Sequence, residues 1–389
     1  MSKKNIREII PAIETFANIK VVGIGGSGNS AINRMVKSKI RGVEFIAINT
    51  DAQALHHSIA PSKVHIGRET TKGLGAGMDP ELGAKSAEEN EEDILKALEG
   101  ANMVFITCGL GGGTGSGAAP IIADIARELN ALTVAVVTKP FTFEGLQRKE
   151  IADRSFDNLI DKVDAVITIP NDRLLQIIDK KTSLLEAFSI VDEVLKQGVQ
   201  GISEVITVPG LINVDFADVK AIMSQAGSAL MGIGTASGEN RAVEAAKAAI
   251  NSPLLELNIN GATGVLFTIA GSPDLTMFEV NEVAEIITSA CDADAKIIFG
   301  AIVDEDLKDD IKVTVIATGF RESKENKGEA GATQPLISNH EVFAKKAEAR
   351  TIKKAFKKEE TEEDISIPKS KEEEELDMPT FLRNKMKKR

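Results

Sequence analysis

Gly109-Leu-Gly-Gly-Gly-Thr-Gly-Ser-Gly117 follows an apolar run, Met103–Thr107, that reads as a strand. It leads into a helical pattern, Ala118–Leu129, with Pro120 in the expected first turn, where proline is tolerated. Five of the seven residues 111–117 are glycine, and Thr114 and Ser116 carry the only side chains. Glycine loses more conformational freedom on folding than any other residue, so a merely structural turn would rarely spend five of them. Bare backbone amides at a helix N-terminus, with two hydroxyls, form a ready cradle for a di- or triphosphate.

A second loop upstream repeats the arrangement. Gly23-Ile-Gly-Gly-Ser-Gly28 links a predicted strand, Lys20–Ile24, to a predicted helix, Asn29–Lys39. Its G-x-G-x-x-G pattern, with Asp51 at the end of the next strand, is that of a dinucleotide site, although a lone motif of this kind is weak and a tight turn without a ligand is the plainer alternative. A third glycine-rich stretch spans Gly73-Leu-Gly-Ala-Gly77, and no G-x-x-x-x-G-K-[ST] occurs, so no P-loop lysine holds the nucleotide.

Outward from these loops the chain alternates apolar runs with helical patterns, which predicts a mostly parallel, doubly wound α/β sheet. Further strands are expected at Glu44–Asn49, Lys63–Ile66, Thr133–Thr138 and Ala165–Ile169, with helices at Ala87–Leu98 and Glu144–Lys162. Thr182–Val205 reads as one long helix, because Leu185, Phe188, Val191, Leu195, Val199 and Ile202 recur at spacings of three and four. Its interior Gly198 and Gly201 suggest close packing. Beyond it come helices at Val219–Met223, Glu239–Ile250 and Phe278–Ala290, and strands at Gly264–Ala270, Ala295–Val303 and Lys312–Thr318. The expected organisation is an N-terminal extension (1–18), a nucleotide-binding domain (19–181), a central helix (182–206), a second α+β domain (207–320), a disordered charged linker (321–374) and a terminal peptide (375–389).

Composition narrows the function. The 389 residues include 46 Lys+Arg and 58 Asp+Glu, net −12. Residues 321–389 hold 17 basic and 15 acidic residues, net +2, which leaves −14 for residues 1–320. Such acidity, with no Trp or Tyr to stack on bases, argues against a dedicated nucleic-acid binder. The two cysteines, Cys108 and Cys291, cannot build a disulfide framework, which points to a reducing cytoplasm. No signal-peptide pattern and no run of ~18–20 apolar residues is present. The histidines, His56, His57, His65 and His340, read as ordinary surface or loop residues.

The sequence resembles the FtsZ family of bacterial tubulin-like division GTPases. GGGTGSG at 111–117 is similar to the tubulin signature. GIGGSGNS at 23–30, NTDAQAL at 49–55, GLGAGMDPELG at 73–83, KPFTFEG at 139–145, PNDRLL at 170–175, GVQGISE at 198–204, PGLINVDFADVK at 209–220 and GSALMGIG at 227–234 follow in family order. The resemblance implies a GTPase using GTP/GDP and Mg²⁺. It implies nucleotide contacts from Gly25, Gly26, Ser27, Asn29, Gly75, Ala76, Gly77, Gly111, Gly112, Gly113, Thr114, Gly115, Ser116 and Gly117. It further implies Glu144 and Arg148 at ribose and phosphate, and Asn171 and Phe188 at the base. Asp192 would read guanine, since a carboxylate only accepts hydrogen bonds and suits its N1–H and 2-amino edge. Glu193 is the alternative register, and a solvated helix residue the bland reading.

By the same resemblance Asn213, Asp215 and Asp218 are catalytic and act in the pocket of the next subunit, so that hydrolysis follows head-to-tail assembly. From local sequence alone, the favoured reading is that they simply cap a helix beginning near Asp218. In the family, such filaments form a ring beneath the membrane at the midcell division site. Leu376–Arg383 resembles a peptide that docks membrane tethers and division regulators. Val342–Lys358 and Lys385–Arg389 are basic blocks that offer weak contact with anionic lipid, with a solvated linker as the plainer reading. Two other functions are open on these residues. One is an NAD-dependent oxidoreductase using Gly23–Gly28 and Asp51. The other is a non-catalytic tubulin-like scaffold, against which Asp215 and Asp218 speak.

Overall fold

The computed structural model describes residues 17–175, 181–208, 210–252, 259, 261–304 and 307–320. The expectations for the N-terminal extension, the charged linker and the terminal peptide therefore lie outside the described residues. The elements run β1 (Ile19–Ile24), α1 (Gly25–Lys37), β2 (Val43–Asn49), α2 (Ala52–His57), β3 (Ser62–His65), α3 (Arg68–Thr71), α4 (Pro80–Glu89), α5 (Glu91–Leu98), β4 (Met103–Gly109), α6 (Thr114–Glu128), β5 (Leu132–Lys139), α7 (Leu146–Ile160), β6 (Ala165–Pro170) and α8 (Asn171–Leu174). They continue with α9 (Leu184–Thr207), α10 (Phe216–Met223), β7 (Gly227–Ser237), α11 (Arg241–Ile250), β8 (Gly264–Gly271), α12 (Met277–Ser289), β9 (Lys296–Val303) and β10 (Asp310–Thr318).

The strands form a sheet in the order β3-β2-β1-β4-β5-β6-β7-β10-β8-β9. All pairings from β3 through β7 are parallel, whereas β10 runs antiparallel to both β7 and β8. The first six strands thus have the doubly wound 3-2-1-4-5-6 order, whose chain reversal between β1 and β4 opens a crevice at the strands' carboxyl ends. Both glycine loops leave the sheet there. Side-chain alternation supplies two cores. Ile19 and Val21 of β1 face the layer of α1, α9 and α10, while Val22 and Ile24 face that of α5 and α6. Lys20, 7% exposed, sends Nζ to the carbonyls of Ala97 and Glu99, 2.9 Å from each, and so closes the C-terminus of α5.

α9 packs on both halves of the sheet. A Cβ on Gly198 would lie 3.1 Å from Val136 of β5, and one on Gly201 2.9 Å from Thr314 of β10, so the expected close packing is real. Its first turn differs from the expected stripe. Leu185 is 81% and Phe188 41% exposed, because that turn lies beside the crevice, and the buried seam runs from Val191 to Val205.

Three other expectations change. Residues 87–98 belong to two helices, broken at Asn90, whose Oδ1 accepts the Gly67 N–H. α6 begins at Thr114, so Pro120 is inside the helix rather than in its first turn. β7 was not expected as a strand: it carries Gly232 and Gly234 and lacks β-branched alternation. A Cβ on Gly234 would lie 2.1 Å from the Ala245 carbonyl, so glycine is what lets α11 lie directly on the strand. Among the described residues no helix is long and apolar enough to cross a membrane.

Candidate nucleotide-binding site

Two helix N-termini meet at the crevice, and neither is closed by a side chain. α1 starts at Gly25 with Ile24 as its cap residue, and α6 starts at Thr114 with Gly113 as its cap residue. The first N–H groups of each helix therefore remain for an outside acceptor, and the dipoles favour an anion. The loops touch: a Cβ on Gly25, at φ +71°, would lie 3.2 Å from the Gly115 nitrogen. Gly26 and Gly112 have nothing within 4 Å of a built Cβ, so they border open space.

The cleft, about 470 Å³, is lined at one end by Gly25, Gly26, Ser27, Ser30, Gly112, Gly113, Thr114 and Gly115. At the other end stand Glu144, Arg148, Asn171, Phe188, Val191 and Asp192. Arg148 Nη1 lies 2.8 Å from Glu144 Oε2, and Glu144 Oε1 accepts the Phe141 N–H at 2.9 Å. Asp172 ties this wall to α8 by accepting the Thr142 N–H at 2.9 Å and the Thr142 hydroxyl. Phe188 meets Phe141 edge-on, with ring centroids 5.7 Å apart. The Asn171 Oδ1 is buried without a partner, an orphan acceptor that a bound N–H donor would satisfy. Burial raises Asp192 to about 6, with the Arg34 charge pulling the other way. Asp192 lines the cleft, while Glu193 does not and is turned to Lys196, 2.6 Å away.

The remaining expected residues lie elsewhere. Asn29 is 4% exposed, with both side-chain atoms unpartnered, and does not line the cleft. Ala76 packs beneath Gly113, and Gly75 is exposed. Gly111, at φ +97°, turns its loop against the Arg148 carbonyl, and its N–H donates to Ser116 Oγ at 2.9 Å. Gly77, Ser116 and Gly117 line a separate groove between α4, α6 and α7. Asn213, Asp215 and Asp218 lie at the surface, and none lines the cleft. The Asn213 Oδ1 accepts the Gly210 N–H at 2.6 Å. Asp215 caps α10 through Oδ1, which accepts from the N–H groups of Ala217 and Asp218, so the helix cap that local sequence suggested is present. Asp51 caps α2 through Oδ1, which accepts from the N–H groups of Gln53 and Ala54 at 2.8 and 3.0 Å, and it does not line the cleft.

Sequence reasoning missed Ser30, one turn beyond Ser27 on α1, and Val191, one turn beyond Phe188 on α9. The signal was available in their i, i+3 spacing from expected contacts. It also missed Thr50, whose hydroxyl meets that of Thr114 at 2.8 Å.

Residues 18–179 match the Tubulin/FtsZ family GTPase domain, and residues 227–321 the FtsZ family C-terminal domain. An FtsZ from M. jannaschii, solved as an empty dimer, is 45% identical over 83% of this chain and 96% of its own, with TM-score 0.77. The chain belongs to the FtsZ family. A mutant form of the M. jannaschii FtsZ, also solved, is 47% identical over 78% of this chain and 92% of its own, with TM-score 0.76. CetZ1 from Haloferax volcanii, a GDP-bound monomer, is 21% identical over 78% of this chain and 94% of its own, with TM-score 0.68, and shares the fold. As an FtsZ-family protein the chain carries a tubulin-type GTPase domain, and GTP or GDP is the nucleotide class of that family. Among the described residues no three His, Cys, Asp or Glu side chains gather to hold a metal ion.

Proposed function

We propose that this chain hydrolyses GTP and polymerises, with each active site completed between head-to-tail subunits, and that its filaments form the cytokinetic ring. The observation that carries the reading is the separation, within one subunit, of the cleft from the surface segment Asn213–Asp218. Exposed apolar side chains stand on both sides of the postulated joint. Phe143, Leu146, Leu184 and Leu185 are 61–81% exposed, and the cleft residues Glu144, Arg148 and Phe188 lie among them in sequence. Leu211, beside the acidic segment, is 65% exposed. Such patches mark association surfaces, and the solved dimer of the M. jannaschii relative agrees with self-association.

In this reading the amides of Gly25–Ser27 and Gly112–Gly115 hold the phosphates. Asp192 accepts from guanine, Asn171 and Phe188 hold the base, and Glu144 and Arg148 hold ribose and phosphate. Mg²⁺, bound with the nucleotide, would neutralise phosphate charge during transfer. The incoming subunit contributes Asp215 and Asp218 to polarise and position the attacking water, and Asn213 near the γ-phosphate. Asp215 can serve both purposes because its cap uses only Oδ1. A heterologous joint that does not close repeats as a filament. The filaments gather in the cytoplasm beneath the membrane at the division site, where Leu376–Arg383 docks tethers and regulators and the basic tail blocks add weak lipid contact.

The test is GTP turnover per subunit against protein concentration, with light scattering recorded alongside. Turnover should rise steeply at the assembly threshold. A per-subunit rate that stays flat across it would sink the shared site.

A further inference from the structure

We infer that Thr50, which lies outside the cleft, positions the nucleotide's phosphates by fixing the proton of the Thr114 hydroxyl. The inference rests on the nucleotide reading of the cleft. Thr50 follows β2 and is fully buried, while Thr114 opens α6 and lines the cleft. Their hydroxyl oxygens are 2.8 Å apart, and either could donate. Among the described residues neither hydroxyl has a second hydrogen bond. Burial decides between the two arrangements. If Thr114 donated, the Thr50 proton would be stranded in the core, which is the expensive outcome for a buried polar group. If Thr50 donates, its proton is satisfied and the Thr114 proton is left for an acceptor in the cleft. Phosphate oxygens only accept, so Thr114 is held as a donor toward an acceptor-only ligand.

The backbone is anchored as well. The Thr50 carbonyl accepts from His65 Nε2 at 3.1 Å, which ties the residue to β3. The Thr50 backbone is thus held in place beside Thr114. It is a positioning residue: it touches Thr114 and not the nucleotide.

The experiment compares Thr50→Val, which keeps the shape and removes the hydroxyl, with Thr50→Ser, which restores it. GDP, GTP and guanosine affinities are measured by competition on the full chain, with thermal unfolding as the control for folding. Thr50→Val should weaken GDP and GTP about 5- to 10-fold, the worth of about one hydrogen bond. Guanosine affinity should stay within about twofold, and Thr50→Ser should recover wild-type GDP binding. Wild-type GDP affinity in folded Thr50→Val would overturn the inference. So would an equal loss for guanosine, or failure of folded Thr50→Ser to recover. A wild-type chain that binds no guanine nucleotide would instead overturn the reading of the cleft itself.

Discussion

Glycines of the two glycine-rich stretches should respond to alanine in opposite ways. In Gly117→Ala the new Cβ would sit 1.9 Å from the Pro80 carbonyl oxygen and 2.7 Å from the Ala84 nitrogen. Ordinary contact begins near 3.4 Å, so α4 must retreat by about 1.5 Å, and backbone cannot rotate aside as a side chain can. Overpacking of this kind costs about 3 kcal/mol. At ~2–4 °C per kcal/mol the midpoint of thermal unfolding should fall by roughly 6–12 °C. In Gly26→Ala the Cβ meets nothing within 4 Å and the backbone is not at positive φ. Removing unfolded-state freedom should then leave stability unchanged or raise it by up to ~1 kcal/mol. The methyl instead stands in front of the α1 amides, so nucleotide affinity should fall at least ~10-fold by blocking close approach to them. Calorimetric unfolding of both variants, with GDP titration of each, separates packing from binding. The reasoning fails if Gly26→Ala unfolds far below wild type while binding GDP normally, or if Gly117→Ala keeps the wild-type midpoint.

Asp192, raised to about 6 by burial, must ionise to accept from guanine. GTP affinity should therefore be level above that pH and fall toward ~tenfold per pH unit below it, and Asp192→Asn should abolish the slope while weakening GTP by roughly 10- to 100-fold. Binding isotherms from pH 5 to 8 check both. Asp218→Ala should bind GTP normally and lose turnover by ~100-fold or more, with single-turnover and binding assays run side by side. Loss of binding instead would make Asp218 structural. Phe188→Ala should cost far less than the ~3–5 kcal/mol of a buried Phe, because its ring is 41% exposed, yet weaken GDP several-fold. Chemical denaturation and GDP titration measure the two effects.

Much of this architecture could be read from residue patterns, and the misses have physical causes. Strands of the parallel sheet announce themselves because burial on both faces demands continuous apolar runs such as Val104–Ile106. β7 does not, since Gly232 and Gly234 interrupt the apolar run and Gly234 answers to the helix lying on it rather than to strand propensity. The glycine run 111–117 leads into an uncapped helix N-terminus beside the cleft, but it mixes two demands. Gly112 borders open space, whereas Gly113 and Gly117 give way to Ala76 and Pro80. Local sequence cannot separate these, because the partner of Gly117 is set by how α4 docks on α6. Asp51 looked like a ribose ligand by position, and only the fold shows it capping α2 and standing apart from the cleft lining. Thr50 stood within the stretch 49–55, but nothing local singled out its hydroxyl, since its partner Thr114 is 64 residues away.

The site also explains how an acidic body holds polyphosphate. The charged residues lining the cleft are Glu144, Arg148 and Asp192, and Arg148 is paired with Glu144. Formal charge therefore contributes little attraction at the phosphate end. What remains is geometric: uncapped N–H groups of α1 and α6, brought together because Gly25 and Gly115 allow the loops to touch. Donors fixed in the backbone do not need to be reorganised when the ligand arrives, whereas a lysine must give up rotamer freedom to bind. Among the described residues, the adjustable donor at that end with a buried partner is the Thr114 hydroxyl, and Thr50 removes its freedom too. A cleft built this way recognises phosphate by the direction of its donors rather than by net charge, which is why the −14 of residues 1–320 is compatible with it.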